Sequence, residues 1–279
     1  MVKRIPSHRN ILLAIILVIP LIIVVGYYLF FSKEHFKKTE IENGFKLLQQ
    51  ENLEELDTTY IPLILWQTYV DKTKIPQKVL DSIKKCAPEY EHHILDDAES
   101  EVFIKKYFKP YVLETFHILK GAHKADLIRY CLLYVYGGLY MDIKTELIKP
   151  LREIFTRNKN IMYTVIDLDV SIYQGIICSP PRNPFFLSLI RFMISHKKPP
   201  FYHIFCKDFR NTMVLDLIDK KFHPGLNRGY SMDYFLFKEK LVDPKECHDG
   251  TDRYGFCSFI HDENGRKIFK TRTSDYPWY

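Results

Sequence analysis

Lys124 to Leu151 reads KADLIRYCLLYVYGGLYMDIKTELIKPL, and its acids and bases fall at spacings that allow joint chemistry. Asp126 and Arg129 are three residues apart, so on a helix they share one face. The apolar run after them stops at Gly137-Gly138, which permits a tight turn and close backbone approach. A short apolar stretch then carries Asp142 to its end, with Lys144 and Glu146 following. These residue types are needed where a diphosphate departs, because its two negative charges must be neutralised as the bond to it breaks. A hard cation held by carboxylates is one solution, and Lys or Arg is another. Sugar and ribose hydroxyls need acceptors, which Asp126 and Asp142 supply. The plain alternative for Asp126 and Arg129 is a helix-face ion pair; the double glycine and Asp142 beyond it favour the site.

Such residues need elements to position them. Ile61–Tyr69 (IPLILWQTY) is a short apolar run and reads as a buried first strand. Pro76–Cys86 has Val79, Leu80 and Ile83 at helical spacing, with Pro76 near the helix start. Tyr90–Leu95 alternates and reads as a second strand. Ala98–Tyr107 predicts an amphipathic helix, and His117–Tyr136 a second helix ending at the paired glycines. Leu139–Ile143 is then a short strand. This order predicts an α/β fold, a mostly parallel sheet flanked by helices. Ligands of such sheets sit beyond the carboxyl ends of the strands. That singles out Trp66–Tyr69 and Asp142–Glu146, and 142, 144 and 146 would share one face if the last strand continued.

IPLILWQTY, KADLIRY and YGGLYMDIKTELIKPL together resemble the glycosyltransferase family 32 domain, whose sugar-binding region contains a D-x-D motif. The resemblance covers roughly Ile61 to Leu151 and continues less clearly through Ser171–Phe186. It implies a GT-A-like, Rossmann-type fold, sugar transfer from a nucleotide sugar with retention, and usually Mn²⁺. By position, Tyr69 falls on the aromatic residue that stacks on the nucleotide base. Asp126 and Arg129 fall on the pair that contacts ribose, sugar and phosphate, and Asp142 on the first D-x-D acid. Trp66, Gly138, Tyr140 and Gln174 complete the donor-binding candidates. The chain departs from the family where Lys144 stands at the second D-x-D acid, where Trp66 replaces a common His, and where the end reads DYPWY. Asp142 and Glu146 are the candidate ligands for Mn²⁺ or another divalent cation. Lys144 is the candidate to neutralise the diphosphate in its place, and with Asp142 the catalytic candidate.

Other candidates carry less. Asp167-Leu168-Asp169 is a literal D-x-D without the helix, double glycine and strand before it. Asp233, His248 and His261 are possible late ligands. His92 and His93 are adjacent on a strand and point to opposite faces, so they read as ordinary.

Ile11–Phe31 is uncharged and about 21 residues long, enough to cross a bilayer. Lys3, Arg4 and Arg9 precede it, which tilts the N-terminus to the cytoplasm. The expected organisation is a tail at 1–10, a signal-anchor at 11–31, a charged stem at 32–59 and the glycosyltransferase domain at 60–279. That makes a type II single-pass protein with its domain in the Golgi or ER lumen, or on a viral or host membrane. The net charge of +6, from 40 Lys+Arg against 34 Asp+Glu, suits anionic small ligands but is too scattered for nucleic acid. Six cysteines show no C-x-x-C pair; Cys247 and Cys257 could join across a short loop or stay free. The expected partners are a nucleotide sugar, a glycan, glycolipid or glycoprotein acceptor, and the bilayer. The alternatives are an inactive, lectin-like or scaffold member of the same fold, and a glycoside hydrolase with paired carboxylates.

Overall fold

A computed structural model of the chain describes residues 60–168, 171–243, 245, 247 and 257–271. The expected membrane span and stem, Asp169 and His248 lie outside them. Among the described residues no helix is long and apolar enough to cross a membrane.

The first half is built by crossovers. Strand β1 (Ile64–Thr68) leads through a short 3-10 turn to helix α1 (Gln77–Cys86). Val79, Ile83 and Cys86 recur at helical spacing and are buried. Burying each of the two aliphatic side chains is worth about 1.5–3 kcal/mol. Strand β2 (Glu91–Leu95) returns parallel to β1. Helix α2 (Asp97–Tyr107) starts at a capping box in which Asp96 and Glu99 each accept from the other's backbone N–H.

The single helix expected over His117–Tyr136 is two. Helix α3 (Pro110–Ile118) stops where Leu119 turns extended, and α4 (Ala122–Val135) starts after Gly121 at φ +52°. Ten consecutive residues of α4, Asp126 to Val135, are buried. A helix buried all round is a core helix, and it carries its polar residues inside with it. Strand β3 (Gly138–Met141) then pairs parallel with β1 on the side away from β2.

The second half adds β4 (Glu146–Leu147), β5 (Ile161–Ile166), β6 (Ile172–Ser179), helices α5 (Pro184–Ser195) and α6 (Ile204–Asp216), β7 (Gly225–Asn227), β8 (Asp233–Val242), β9 (Cys257–His261) and β10 (Lys267–Thr271). The sheet runs β2-β1-β3-β6-β5-β8-β9-β10-β4, with β7 on β8. Among the described residues only β1–β2, β1–β3 and β5–β8 are parallel; the other six pairings are antiparallel. The expected mostly parallel sheet is therefore corrected to a mixed one. The reason is connection length. Helical crossovers link parallel strands, whereas a short turn such as 262–266 can join only antiparallel ones.

Side chains alternate across the sheet. Trp66 and Tyr140 face the helical layer of α2 to α6. Leu65, Leu139 and Met141 face a second core with α1, Tyr163, Phe237 and Phe269. Cys247 and Cys257 form a disulfide.

Candidate functional site

On α4, Asp126, Arg129 and Tyr130 stand at i, i+3 and i+4 and form one face. Lys124 departs from them and ties α4 to α2, its Nζ 2.6 Å from Asp97 Oδ2. Tyr130, fully buried, donates to Gln174 Oε1 on β6.

Arg129 uses its whole fork. Nε donates to Ala125 O at 3.1 Å and Nη1 to Gln174 O at 2.6 Å. Nη2 lies 3.2 Å from Asp126 Oδ1 and 3.5 Å from Asp142 Oδ1. The guanidinium also sits over the Tyr140 ring at 4.5 Å. Burial works against its charge, but Tyr140, Asp126 and Asp142 more than offset this and hold its pKa above the ordinary value. Burial raises Asp126, with Arg129 and His123 opposing. The sequence residues Asp126, Arg129 and Asp142 thus converge on one point. Arg129 bridges and orients the two acids there instead of reaching outward.

Asp142 arrives at the carboxyl end of β3, between β1 and β6. Its N–H donates to Gly175 O at 2.8 Å, and its carbonyl closes a turn by accepting from Thr145 N–H at 2.9 Å. Gln67 Nε2 reaches the same carbonyl at 3.4 Å, and Gln67 Oε1 is shared with His92 Nε2 at 3.0 Å. Tyr173 donates to Asp142 Oδ2 at 3.3 Å. A Cβ on Gly175 would come within 2.5 Å of Asp142 Oδ2 and would clash with Tyr173. Asp142 Oδ1 is buried and accepts no hydrogen bond. Buried acceptors are nearly always satisfied, so this one asks for a donor that a ligand hydroxyl can provide.

The turn at Asp142–Thr145 ends the strand, so 142, 144 and 146 do not share a continuing face. That expectation is corrected. Glu146 instead starts β4 against β10, with its Oε1 3.3 Å from Lys78 Nζ. Lys144 stays by the site, its Nζ 5.7 Å from the Tyr173 ring centre. It acts electrostatically on Glu239 of β8, a buried acid that accepts from Ser258 Oγ at 2.6 Å. Burial raises the Glu239 pKa, with Ser258 and Lys144 opposing. The donor set fits Mn²⁺ poorly. Asp142 already faces a guanidinium, the second position is an ammonium, and Glu146 is drawn to Lys78. Among the described residues no three His, Cys, Asp or Glu side chains are grouped to hold a metal.

The remaining candidates take varied places. Trp66 is buried, donates from Nε1 to Gly137 O at 2.9 Å, and stacks on His93 and Tyr136. Tyr140 is buried beneath Arg129, its hydroxyl 3.1 Å from Thr68 Oγ1. Gly138 has φ +93°, and a Cβ there would lie 2.6 Å from Ile64 O, so its role in the fold is backbone approach. Tyr69 is half-buried at the carboxyl end of β1, its N–H bonded to Leu95 O at 3.0 Å. Asp167 follows β5 on the same sheet edge as Asp142, and its Oδ1 accepts from Ser171 N–H. Asp233 begins β8 at the opposite edge. His261 Nδ1 lies against Phe259 O.

Sequence reading missed Gln67, Tyr173, Gly175 and Glu239. Tyr173 and Gly175 flank Gln174, so the strand-like run around that residue was a usable signal. Glu239 had none, being one acid in an alternating strand. A surface cavity of about 370 Å³ lined by Tyr163, Phe235, Phe237, Lys149 and Arg266 shares no residue with the Asp142 cluster. The cavity's ion pair, Asp262 with Arg266, is exposed on its arginine side, whereas the cluster holds buried acids around a buried arginine and an acceptor without a hydrogen bond, so the chemistry belongs to the cluster.

Residues 74–161 match the family model described as a glycosyltransferase sugar-binding region containing the DXD motif. A mannosyl phosphorylinositol ceramide synthase of Saccharomyces cerevisiae is 32% identical over 166 residues, 56% of this chain and 40% of that protein. An initiation-specific alpha-1,6-mannosyltransferase of the same yeast is 30% identical over 122 residues, 40% of this chain and 25% of its own length. An uncharacterized glycosyltransferase of Acanthamoeba polyphaga mimivirus is 27% identical over 137 residues, 45% of this chain and 53% of that one. The chain spans less than half the length of either yeast relative. With Asp126, Arg129, the double glycine and Asp142 all inside the matched region, the chain is a glycosyltransferase family 32-like protein.

Proposed function

We propose that the chain transfers a sugar from a nucleotide-sugar donor to a glycan, glycolipid or glycoprotein acceptor, with retention. The observation that carries this is Asp142 Oδ1, a buried carboxylate oxygen with no hydrogen bond, held by Arg129 at the carboxyl end of the sheet. It accepts from a hydroxyl of the donor. Asp126 stands ready for a second hydroxyl, and Arg129 holds both acids in place. The yeast relatives are named for mannosyl transfer, which puts GDP-mannose first and a UDP-hexose second.

As the bond from the sugar to the diphosphate breaks, charge grows on the leaving group. Lys144 is the cation placed to meet it, which makes a divalent ion dispensable. The uncharged run Ile11–Phe31 supports a type II bilayer anchor. The Cys247–Cys257 disulfide supports an oxidising lumen around the domain.

One observation favours a second reading. Every Arg129 nitrogen is already committed within the protein. A protein so arranged could bind sugar without turning it over. The test is release of nucleoside diphosphate by the detergent-solubilised full chain from GDP-mannose, UDP-galactose, UDP-glucose and UDP-N-acetylglucosamine, with Mn²⁺ or with chelator. Turnover that survives chelator and is lost in Lys144→Ala supports the proposal. Turnover abolished by chelator restores an ordinary metal site. No turnover with any donor establishes the inactive, sugar-binding reading.

A further inference from the structure

The segment between α5 and α6 lies on the same helix face as the acids. His123 precedes Asp126 by three residues on α4, so the two stand one above the other. His123 Nε2 meets the carbonyl oxygen of Tyr202 at 3.0 Å. The imidazole also lies 5.3 Å from the Tyr202 ring and edge-on to Phe205 at 4.9 Å. These contacts hold the segment against the turn of α4 that leads to Asp126. Tyr202 is nevertheless 47% exposed. Burial pushes its phenol up to about 12, with the charge of Asp126 adding to the shift. A large aromatic ring, partly wet, is therefore held by His123 one helical turn from Asp126.

We propose that Tyr202 is the platform on which the acceptor pyranoside sits, one face of the sugar on the ring and its hydroxyls toward the acids. This rests on the transferase reading for the word acceptor, but the sugar-binding claim stands alone. A pyranose has an apolar C–H face and a polar rim, and an exposed aromatic beside fixed acceptors matches both. Asp142 ends β3, with β1 on one flank and β6 on the other. Tyr69 ends the β1 flank, where the base of the donor is expected. Helix α6, which follows Tyr202 directly, packs on β6. Tyr202 thus leads into a helix on the β6 flank, whereas Tyr69 lies on the β1 flank.

The test uses the full chain in detergent, with methyl α-D-mannopyranoside as glycoside probe and GDP-mannose as donor probe, binding of each measured separately. Tyr202→Ala should weaken the glycoside about five- to tenfold, the size of one aromatic contact. Tyr202→Phe should restore it, since the ring suffices. GDP-mannose affinity should not move in either variant. Glycoside binding unchanged in Tyr202→Ala overturns the proposal. Equal loss of glycoside and GDP-mannose affinity, or no glycoside binding by the unmodified protein, overturns it as well. Tyr202-dependent glycoside binding without any GDP-mannose binding would contradict the transferase reading while leaving the platform established.

Discussion

Two aspartates stand at opposite edges of one sheet, and each meets an arginine. Asp142 ends β3 with its side chain 9% exposed, and its partner Arg129 is 5% exposed. Asp233 begins β8 at 16%, and its partner Arg228 is 68% exposed. Both oxygens of Asp233 are occupied, by Arg228 and by the Gly229 N–H at 3.4 Å. Asp142 keeps one oxygen without a hydrogen bond, 3.5 Å from Arg129 Nη2. The same pair of residue types is thus a surface clasp at one edge and a prepared receptor at the other. What separates them is α4, a helix buried all round that takes its arginine inside. An exposed pair is worth about 0–1 kcal/mol because water screens it. Removing one partner of a buried set leaves uncompensated charge and costs about 3–5 kcal/mol.

The largest effect is expected from matched substitutions. Arg129→Met strands two buried carboxylates and should lower unfolding stability in denaturant by about 3–5 kcal/mol. Arg228→Met should cost about 0–1 kcal/mol. Similar losses in both would erase the distinction between the two edges. Gly175→Ala comes next. Its new methyl has no room between Tyr173 and Asp142, so about 1–3 kcal/mol of stability is expected to go, as in overpacked cores. A neutral result by the same denaturant measurement would mean that Asp142 yields easily and is not held.

The smallest effect concerns an acid whose charge is met differently. Burial pushes Asp208 up to about 6, with His196 opposing. Its folded pKa is above the ordinary 3.8, so ionising it costs stability. The chain should be most stable with respect to this group below about pH 4, and that contribution should fall away as the pH rises through about 6. Asp208→Asn should flatten the unfolding temperature between those values. An unchanged slope would show that Asp208 is better solvated than its surroundings suggest.

The two halves of the fold also differ in how far the sequence discloses them. Crossover units announce themselves through apolar strands, helical spacing and the double glycine, so Asp126, Arg129 and Asp142 were readable as a set. The antiparallel half offered no such punctuation. Glu239 lies 95 residues beyond Lys144 in the chain, and only strand pairing brings their charges together. The break at Leu119–Gly121 was hidden because apolar spacing continues through it. Lys144 and Glu146 were grouped by counting in twos, and the turn after Asp142 undoes that count. Trp66 was singled out by its place in a motif, yet its ring belongs to the core. Local pattern finds residues that one element delivers; it cannot find those that two distant strands bring together.

The most direct measurement pairs Asp142→Asn with Asp233→Asn in the full chain and follows nucleoside diphosphate release and unfolding temperature. If the Asp142 oxygen without a hydrogen bond holds the donor, Asp142→Asn should cut turnover by about 100-fold or more in protein whose unfolding transition shows that it is still folded. Asp233→Asn should leave turnover as it was. Equal turnover in Asp142→Asn and the unmodified chain would contradict the account.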